Sequence, residues 1–554
     1  MCQPPSNQAI RAMLGPVLTE EVTIERVQPV LSVRPQRRYE VVLSNGRNIH
    51  LVLSPPSLWR PLRSEQGTVA AEATAVCWIR ETLTLQQLCD RDSSSSSASS
   101  TTTKPDLPSA ILPYLPTLFH QGQSSSLPDS SYAVYSATTT TTKTTPLALL
   151  FPPPSPETQS RLDHQLGVLL RSLAHLSSPT GRFGPLSAVL NTTLPPSYRP
   201  IVGGGGGSGG GGVVPPGSSL RGLPGAKVLV EGGLSATGGA TTWSVAFHSM
   251  LEGVLRDGED MAVVMGYAAI RRQFRRLGWV LDGVGVARVL VVDGGGGNVL
   301  VCEERREGGT EGDNENVGGE GKLRQEEVRG DVDKGVPVKR EEEERIGNEA
   351  DVNRNKTEET SPHETTTHTQ QQYHLAGLRD WSPTLFGDPL LSSVFSDPLL
   401  PLPSAAFLAG FNNRPLSDNP SPPTPGSSTN PFFPFLQRLD PSLIPSPSTA
   451  HIRLLLYQVY HAAVRIVSEF YRPRPDSSAR EFEARRKLKE VLGRLAEVPD
   501  DGGLGEHGAS GKNDEDGDGT WRKKAASGGG YRKGEHPRPE GTMSPAKRIK
   551  AEED

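Results

Sequence analysis

Val289-Leu-Val-Val-Asp293-Gly-Gly-Gly-Gly-Asn298-Val-Leu-Val301 is the stretch that decides the fold of this chain. Two apolar runs, each typical of a buried strand, flank a tetraglycine turn. Asp293 supplies a carboxylate that can accept a proton, and Asn298 supplies an amide oxygen that can hold Mg²⁺, the two functions that phosphoryl transfer requires. The same pattern is also typical of a glycine-rich hairpin turn without chemistry.

A second loop carboxylate follows downstream, in Gly377-Leu-Arg-Asp380-Trp381. Together with Asn298 it would give a magnesium ion two hard oxygen ligands. Asp380 also fits a helix cap or a surface salt bridge. Phe386-Gly-Asp388-Pro389 comes next, and Asp388 before a proline fits a helix N-cap with proline in the first turn.

The N-terminal part of the chain predicts a hairpin followed by a helix. Strands are indicated over 39–43 and 49–53, because Asn45-Gly46 between them accepts the positive φ angles of a tight turn. Apolar residues at helical spacing predict a helix over 65–84. The same spacing predicts further helices beginning near Gln159, Trp243, Ile270, Ile452 and Ala479.

Low-complexity stretches divide the chain. It has 59 Gly and 49 Pro among 554 residues, and roughly 340 of these residues can contribute to a packed core. The predicted organisation has strands plus a helix over 1–90, a linker or insert over 91–157, and the main body over 158–302, which contains Asp293. A disordered charged insert over 303–372, the remainder of the main body over 373–498 and a disordered tail over 499–554 complete it.

The motifs around Asp293, Asn298, Asp380 and Asp388 resemble those of the aminoglycoside phosphotransferase family, in a divergent fungal form. In that family an Asp-x4-Asn loop is followed by a strand, a second aspartate and a Gly-Asp-Pro segment. The resemblance implies an α+β, bilobal protein-kinase-like fold with long disordered insertions and a tail. It also implies ATP and Mg²⁺ as cofactors, and it leaves the phosphate acceptor unknown.

The resemblance assigns site residues one by one. Asp293 becomes the catalytic base, Asn298 and Asp380 become magnesium ligands, and Glu72 becomes the glutamate that orients a phosphate-binding lysine. That lysine is absent from strand 49–53, where Val52 occupies the matching position, and no histidine stands two positions before Asp293.

A glycine-rich loop over the nucleotide is also missing between Val27 and Tyr39. Arg60 or Arg63 could replace the lysine, because a guanidinium binds phosphate bidentately. Loss of one preorganised charge costs on the order of 10²–10³ in rate.

Three functions therefore stay open. The first is a phosphotransferase that uses ATP and Mg²⁺. The second is a catalytically inactive, pseudokinase-like binding or scaffold protein that acts through protein partners. The third is a nuclear regulatory protein that acts through its disordered segments. A net charge of −5 argues against nucleic acid as a partner, and no long apolar stretch predicts a membrane span. An intracellular location is expected, cytoplasmic or nuclear, the latter because Lys547-Arg-Ile-Lys550 fits either an import signal or an ordinary basic patch.

Overall fold

A computed structural model describes residues 5–18, 22–30, 34–56, 59–93, 107–124, 127, 130–136, 144–190, 238–304, 372–416 and 435–500. The protein is α+β: an N-terminal antiparallel sheet of five strands is followed by a largely helical region. Of the insert predicted over 303–372, residues 305–371 lie outside these ranges, whereas Glu303, Glu304 and Gln372 belong to strands. Of the tail predicted over 499–554, residues 501–554 lie outside them too, and these include the basic segment 547–550.

The N-terminal sheet has the strand order β1-β2-β3-β5-β4, and every neighbouring pair is antiparallel. Its strands are β1 Ile24–Val30, β2 Arg37–Leu43, β3 Asn48–Leu53, β4 Leu118–Gln123 and β5 Ser131–Ser136. The turn between β2 and β3 uses Gly46 at φ 75°, a conformation in which a side chain would be strained. This hairpin confirms the prediction made from Asn45-Gly46.

Helices cover both faces of this sheet. Alternate residues of β2, β3 and β5, such as Val41, Leu51 and Val134, pack with helix α1, Asn7–Leu14, on one face. Val52 and Tyr135 point to the other face, where they join the core built with helix α2, Thr68–Ser93. A two-residue side-chain period thus buries both faces, as expected for the centre of a sheet.

The prediction of a linker or insert over 91–157 needs correction, because part of this segment belongs to the folded core. This segment holds helix α3, Leu107–Ile111, the strands β4 and β5, and a short strand β6, Thr144–Pro146. The sequence Ser131-Tyr-Ala-Val-Tyr-Ser136 is buried on both faces, so it forms an inner strand of the sheet. The Ser- and Thr-rich composition around it concealed a strand of only six residues.

The helical region contains two small sheets, β6-β9-β10 and β7-β11-β8. Their strands are β7 Gly184–Pro185, β8 Arg288–Val291, β9 Val299–Glu304, β10 Gln372–Leu378 and β11 Thr384–Gly387. The two runs beside the tetraglycine turn therefore lie in different sheets and do not pair as a hairpin. β9 pairs with β10 instead, and Glu304 faces Gln372 in the register.

The helices of this region are α4 Pro156–His175, α5 Leu186–Leu190, α6 Trp243–Asp260, α7 Tyr267–Leu277, α8 Ser393–Ser396, α9 Ala405–Phe411, α10 Pro447–Tyr471 and α11 Ser477–Glu497. Apolar spacing predicted α4, α6, α7, α10 and α11, but it did not predict the short helices α5, α8 and α9. α10 is buried along most of its length, and the charged α11 packs against its outer side. Within the described residues, no helix is both long enough and apolar enough to cross a bilayer.

α4 and α9 pack backbone to backbone. A Cβ on Gly410 of α9 would stand 2.1 Å from the carbonyl oxygen of His164, and a Cβ on Gly167 of α4 would stand 2.2 Å from that of Phe407. Real side chains do not approach so closely, so both glycines are required by the contact between these helices.

Candidate functional site

Four of the predicted site residues converge where the N-terminal sheet meets the helical region. Asp293 and Asn298 lie on the loop between β8 and β9, and Asp380 lies on the turn between β10 and β11. Glu72 comes from α2, on the sheet side of the same cluster. The structure therefore brings together residues from distant parts of the chain, with Glu72 and Asp380 separated by 308 positions (380 − 72).

Asn298 ties the two loops together through its amide. Its nitrogen donates to the carbonyl oxygens of Asp293 and Asp380, at 2.9 and 3.0 Å, and its oxygen accepts the backbone N–H of Asp380 at 2.9 Å. The residue is 1% exposed. Its amide is therefore committed to positioning the backbones of both aspartates.

Asp380 is a buried carboxylate rather than a helix cap or a surface salt bridge. Its Oδ1 accepts from Arg38 Nη2 at 3.1 Å and from the backbone N–H of Ser382 at 2.9 Å. Burial opposes ionisation of Asp380, but Arg38 and then Arg34 overcome that cost and hold its pKa below the ordinary value.

Two arginines that the sequence analysis did not assign complete the site. Arg34, just before β2, donates from Nη2 to Asp293 Oδ2 at 3.0 Å, and its Nε lies 3.5 Å from Asp380 Oδ2. Arg38 on β2 donates to Glu72 Oε2 at 2.7 Å and also contacts Asp380. Burial lowers the pKa of each guanidinium, but the attraction of these carboxylates outweighs it, so the pKa of both arginines is raised.

The cation that pairs with Glu72 is thus Arg38 of β2, not a lysine of β3. Strand alternation could have found it: Tyr39, Val41 and Leu43 of β2 are buried on the α1 side, so Arg38 must point to the α2 side. The resemblance directed attention to β3, where Val52 is apolar and buried.

Arg60 and Arg63 are not brought to this cluster. Arg60 Nη2 pairs with Asp260 at 2.8 Å, and Arg63 Nη1 pairs with Asp257 at 2.5 Å. These ion pairs connect the segment before α2 to α6. The structure therefore places both arginines in an inter-element contact instead of beside Glu72.

Asp388 has the capping role that its proline neighbour suggested. Its Oδ1 accepts the backbone N–H of Leu390 at 3.2 Å, at the start of a short 3₁₀ turn. Its Oδ2 accepts from Arg453 at 2.5 Å and from Tyr457 at 2.8 Å, both on α10. Asp388 and Arg453 have no exposed surface, so this buried ion pair connects helix α10 to the residue that directly follows β11.

The fit of Mg²⁺ to this cluster can be tested on its donor atoms. The Asn298 oxygen already accepts a backbone N–H, Asp380 Oδ1 already has two donors, and Arg34 bridges Asp293 and Asp380. In this conformation guanidinium groups neutralise the carboxylates, and the arrangement does not fit the metal. Among the described residues, no group of three or more His, Cys, Asp or Glu side chains is placed to hold a metal ion.

Sequence comparison adds no relative for this arrangement. No protein-family model matches the chain, and no curated protein matches it.

Proposed function

We propose that this chain is a kinase-like protein of the aminoglycoside phosphotransferase type that has lost phosphoryl transfer and acts through binding. The observation that carries the proposal is the placement of Arg34 and Arg38 on the carboxylates of Asp293 and Asp380. Each guanidinium neutralises carboxylate charge that a bound metal ion would otherwise neutralise. The missing strand lysine, glycine-rich loop and loop histidine support the same conclusion.

The kinase-like character of the fold is part of this proposal. A five-stranded antiparallel sheet with one long helix after its third strand, followed by a mainly helical region, is the order of elements expected for the two lobes of such proteins. Glu72 on that helix, Asp293 on a loop before a strand and Asp380 on the next loop match the order of the expected motifs. Fold alone does not assign activity, so the proposal depends on the contacts of these side chains.

A second candidate is a phosphotransferase in which Arg38 replaces the strand lysine. Asp380 Oδ2 favours it, because among the described residues this buried oxygen has no hydrogen-bond donor and has one ion pair, with Arg34 at 3.5 Å. Asp293 retains 27% side-chain exposure, so a hydroxyl of an acceptor can reach it and transfer its proton to the carboxylate. Arg34 would have to leave both carboxylates before this chemistry could begin.

One experiment separates the two candidates. Purified full-length protein is heated with ATP, with ATP plus Mg²⁺ and with neither, and phosphate release is followed in parallel. We expect no magnesium-dependent rise in Tm and no phosphate release above that of Asp293→Asn, a variant that keeps the shape of the side chain. Magnesium-dependent stabilisation together with turnover that disappears in Asp293→Asn would establish the phosphotransferase instead.

A further inference from the structure

We propose that Arg34 is a tethered cation that occupies a divalent-metal position between Asp293 and Asp380, so that removing its charge exposes a metal site. The inference rests on the proposed non-catalytic function of the same cluster of residues. It goes further by stating what blocks the metal and which single residue does so.

The geometry of the Arg34 guanidinium is that of a bridging cation. Nη2 contacts one carboxylate at 3.0 Å and Nε faces the other at 3.5 Å, so one positive group lies against the side chains of two different loops. A divalent ion held by carboxylates occupies the same kind of place between oxygen atoms. Arg38 bridges a different pair of carboxylates, those of Glu72 and Asp380.

Asp380 Oδ2 provides the second observation. The side chain of Asp380 is 2% exposed, yet no residue in the described part of the chain donates a hydrogen bond to this oxygen. A buried carboxylate oxygen without a donor is costly, and it is a good ligand for a hard cation. The oxygen faces Arg34 at a distance longer than a hydrogen bond, so the guanidinium compensates its charge without saturating it.

The position of Arg34 allows it to be changed without breaking the sheet. It lies three residues before Arg37, the first residue of β2, and its side chain is 23% exposed. Asn298 holds the two aspartate loops together through its own hydrogen bonds, which do not involve Arg34. The backbones of the two aspartates therefore keep these hydrogen bonds when Arg34 is shortened.

The test measures Mn²⁺ binding by electron paramagnetic resonance on full-length protein without nucleotide. The variants are wild type, Arg34→Ala, Arg34→Lys, Arg34→Ala with Asp380→Asn, and Arg26→Ala. Arg26 is an exposed arginine of β1 and controls for the loss of one positive charge. Arg34→Gln is a second neutral variant, for use if Arg34→Ala does not fold.

We expect Arg34→Ala to bind one Mn²⁺ at least tenfold more tightly than wild type, Arg34→Lys and Arg26→Ala. The additional Asp380→Asn change should abolish that gain. Equal Mn²⁺ affinity of folded wild type and of both folded neutral variants overturns the inference, as does a gain that survives Asp380→Asn. Phosphate release by wild type that depends on Asp293 would instead overturn the proposed function, and the Mn²⁺ comparison would still decide the role of Arg34.

Discussion

Arg38 on β2 and Glu72 on α2 form a 2.7 Å ion pair in the interior, and the same guanidinium holds Asp380 of the β10–β11 turn at 3.1 Å. One arginine therefore connects the sheet, the helix that covers it and the helical region. Its side chain is 9% exposed, and those of Glu72 and Asp380 are each 2% exposed. This three-way contact makes Arg38 the residue on which the interior charge balance depends.

Arg38→Met is expected to lower the free energy of unfolding by about 3–5 kcal/mol, because it leaves buried carboxylates without their cation. Urea denaturation followed by circular dichroism measures the change. Arg38→Met combined with Glu72→Gln should lose less than Arg38→Met alone, since one stranded carboxylate is removed. A double variant as unstable as the sum of the two single variants would contradict the coupling.

Glu72→Gln tests the protonation of the same pair. Burial raises the pKa of Glu72 from 4.5 to about 7, against the attraction of Arg38, and the Asp380 charge adds to the rise. Between these two pH values the unfolded chain releases the proton while the folded protein keeps it, so this group lowers stability as pH increases. The Glu72→Gln variant lacks that loss.

The stability of Glu72→Gln relative to wild type should therefore increase by up to about 3 kcal/mol between pH 4.5 and 7, and then stay level. Urea titrations at pH 4.5, 5.5, 6.5 and 7.5 measure it. A relative stability that does not change with pH would show that Glu72 is ionised throughout this range.

Glu469 has the opposite dependence. Burial opposes its ionisation, but hydrogen bonds from Arg480 and Ser477 of α11 lower its pKa from 4.5 to about 2. The stabilisation is complete above pH 4.5 and is lost as pH falls through 2. Glu469→Gln should cost about 1–2 kcal/mol at pH 7, discounted because Arg480 is partly exposed, and only a small part of that at pH 2. An equal cost at both pH values would contradict an electrostatic origin.

Gly410→Ala tests the contact between α4 and α9. The new Cβ would stand 2.1 Å from the His164 carbonyl oxygen, so the two backbones must separate, at a cost of about 1–3 kcal/mol. Gly493→Ala in α11 is the matched control, because that position is helical and has open space around it. The control should gain up to about 1 kcal/mol, since alanine favours helix. Thermal unfolding compares the two, and similar shifts would contradict the close packing.

Local sequence signals predicted much of the fold. The Asn45-Gly46 turn set the register of β2 and β3, and apolar spacing located α4 and α10. β5 was missed because its six residues are flanked by Ser- and Thr-rich segments, and a short inner strand has no polar face to give an alternating pattern. The pairing of the strands could not be predicted either, because β8 and β9 flank the same turn but belong to different sheets.

The candidate site was predictable only where a motif specified residue types. Asp293, Asn298, Asp380 and Glu72 were identified and do meet, but the partner of Glu72 was sought in β3 and in Arg60 and Arg63. Strand alternation places Arg38 on the α2 face of β2, but its contact with Asp380 depends on how the β10–β11 turn meets the sheet, which no local pattern encodes. The hydrogen bonds by which Asn298 connects the two aspartate loops could not be predicted either, because their acceptors are backbone carbonyls, which every residue has.

The pairing of Glu304 with Gln372 has a consequence for engineering. The chain leaves β9 and re-enters at β10 roughly 5 Å apart, a spacing fixed by the ladder between the two strands. The entropic cost of closing a loop rises only slowly with its length, so the connection between β9 and β10 should accept inserted segments of widely different lengths. A reporter domain with adjacent termini could be spliced there while Asn298 and Asp380, at the far ends of the same strands, keep their places.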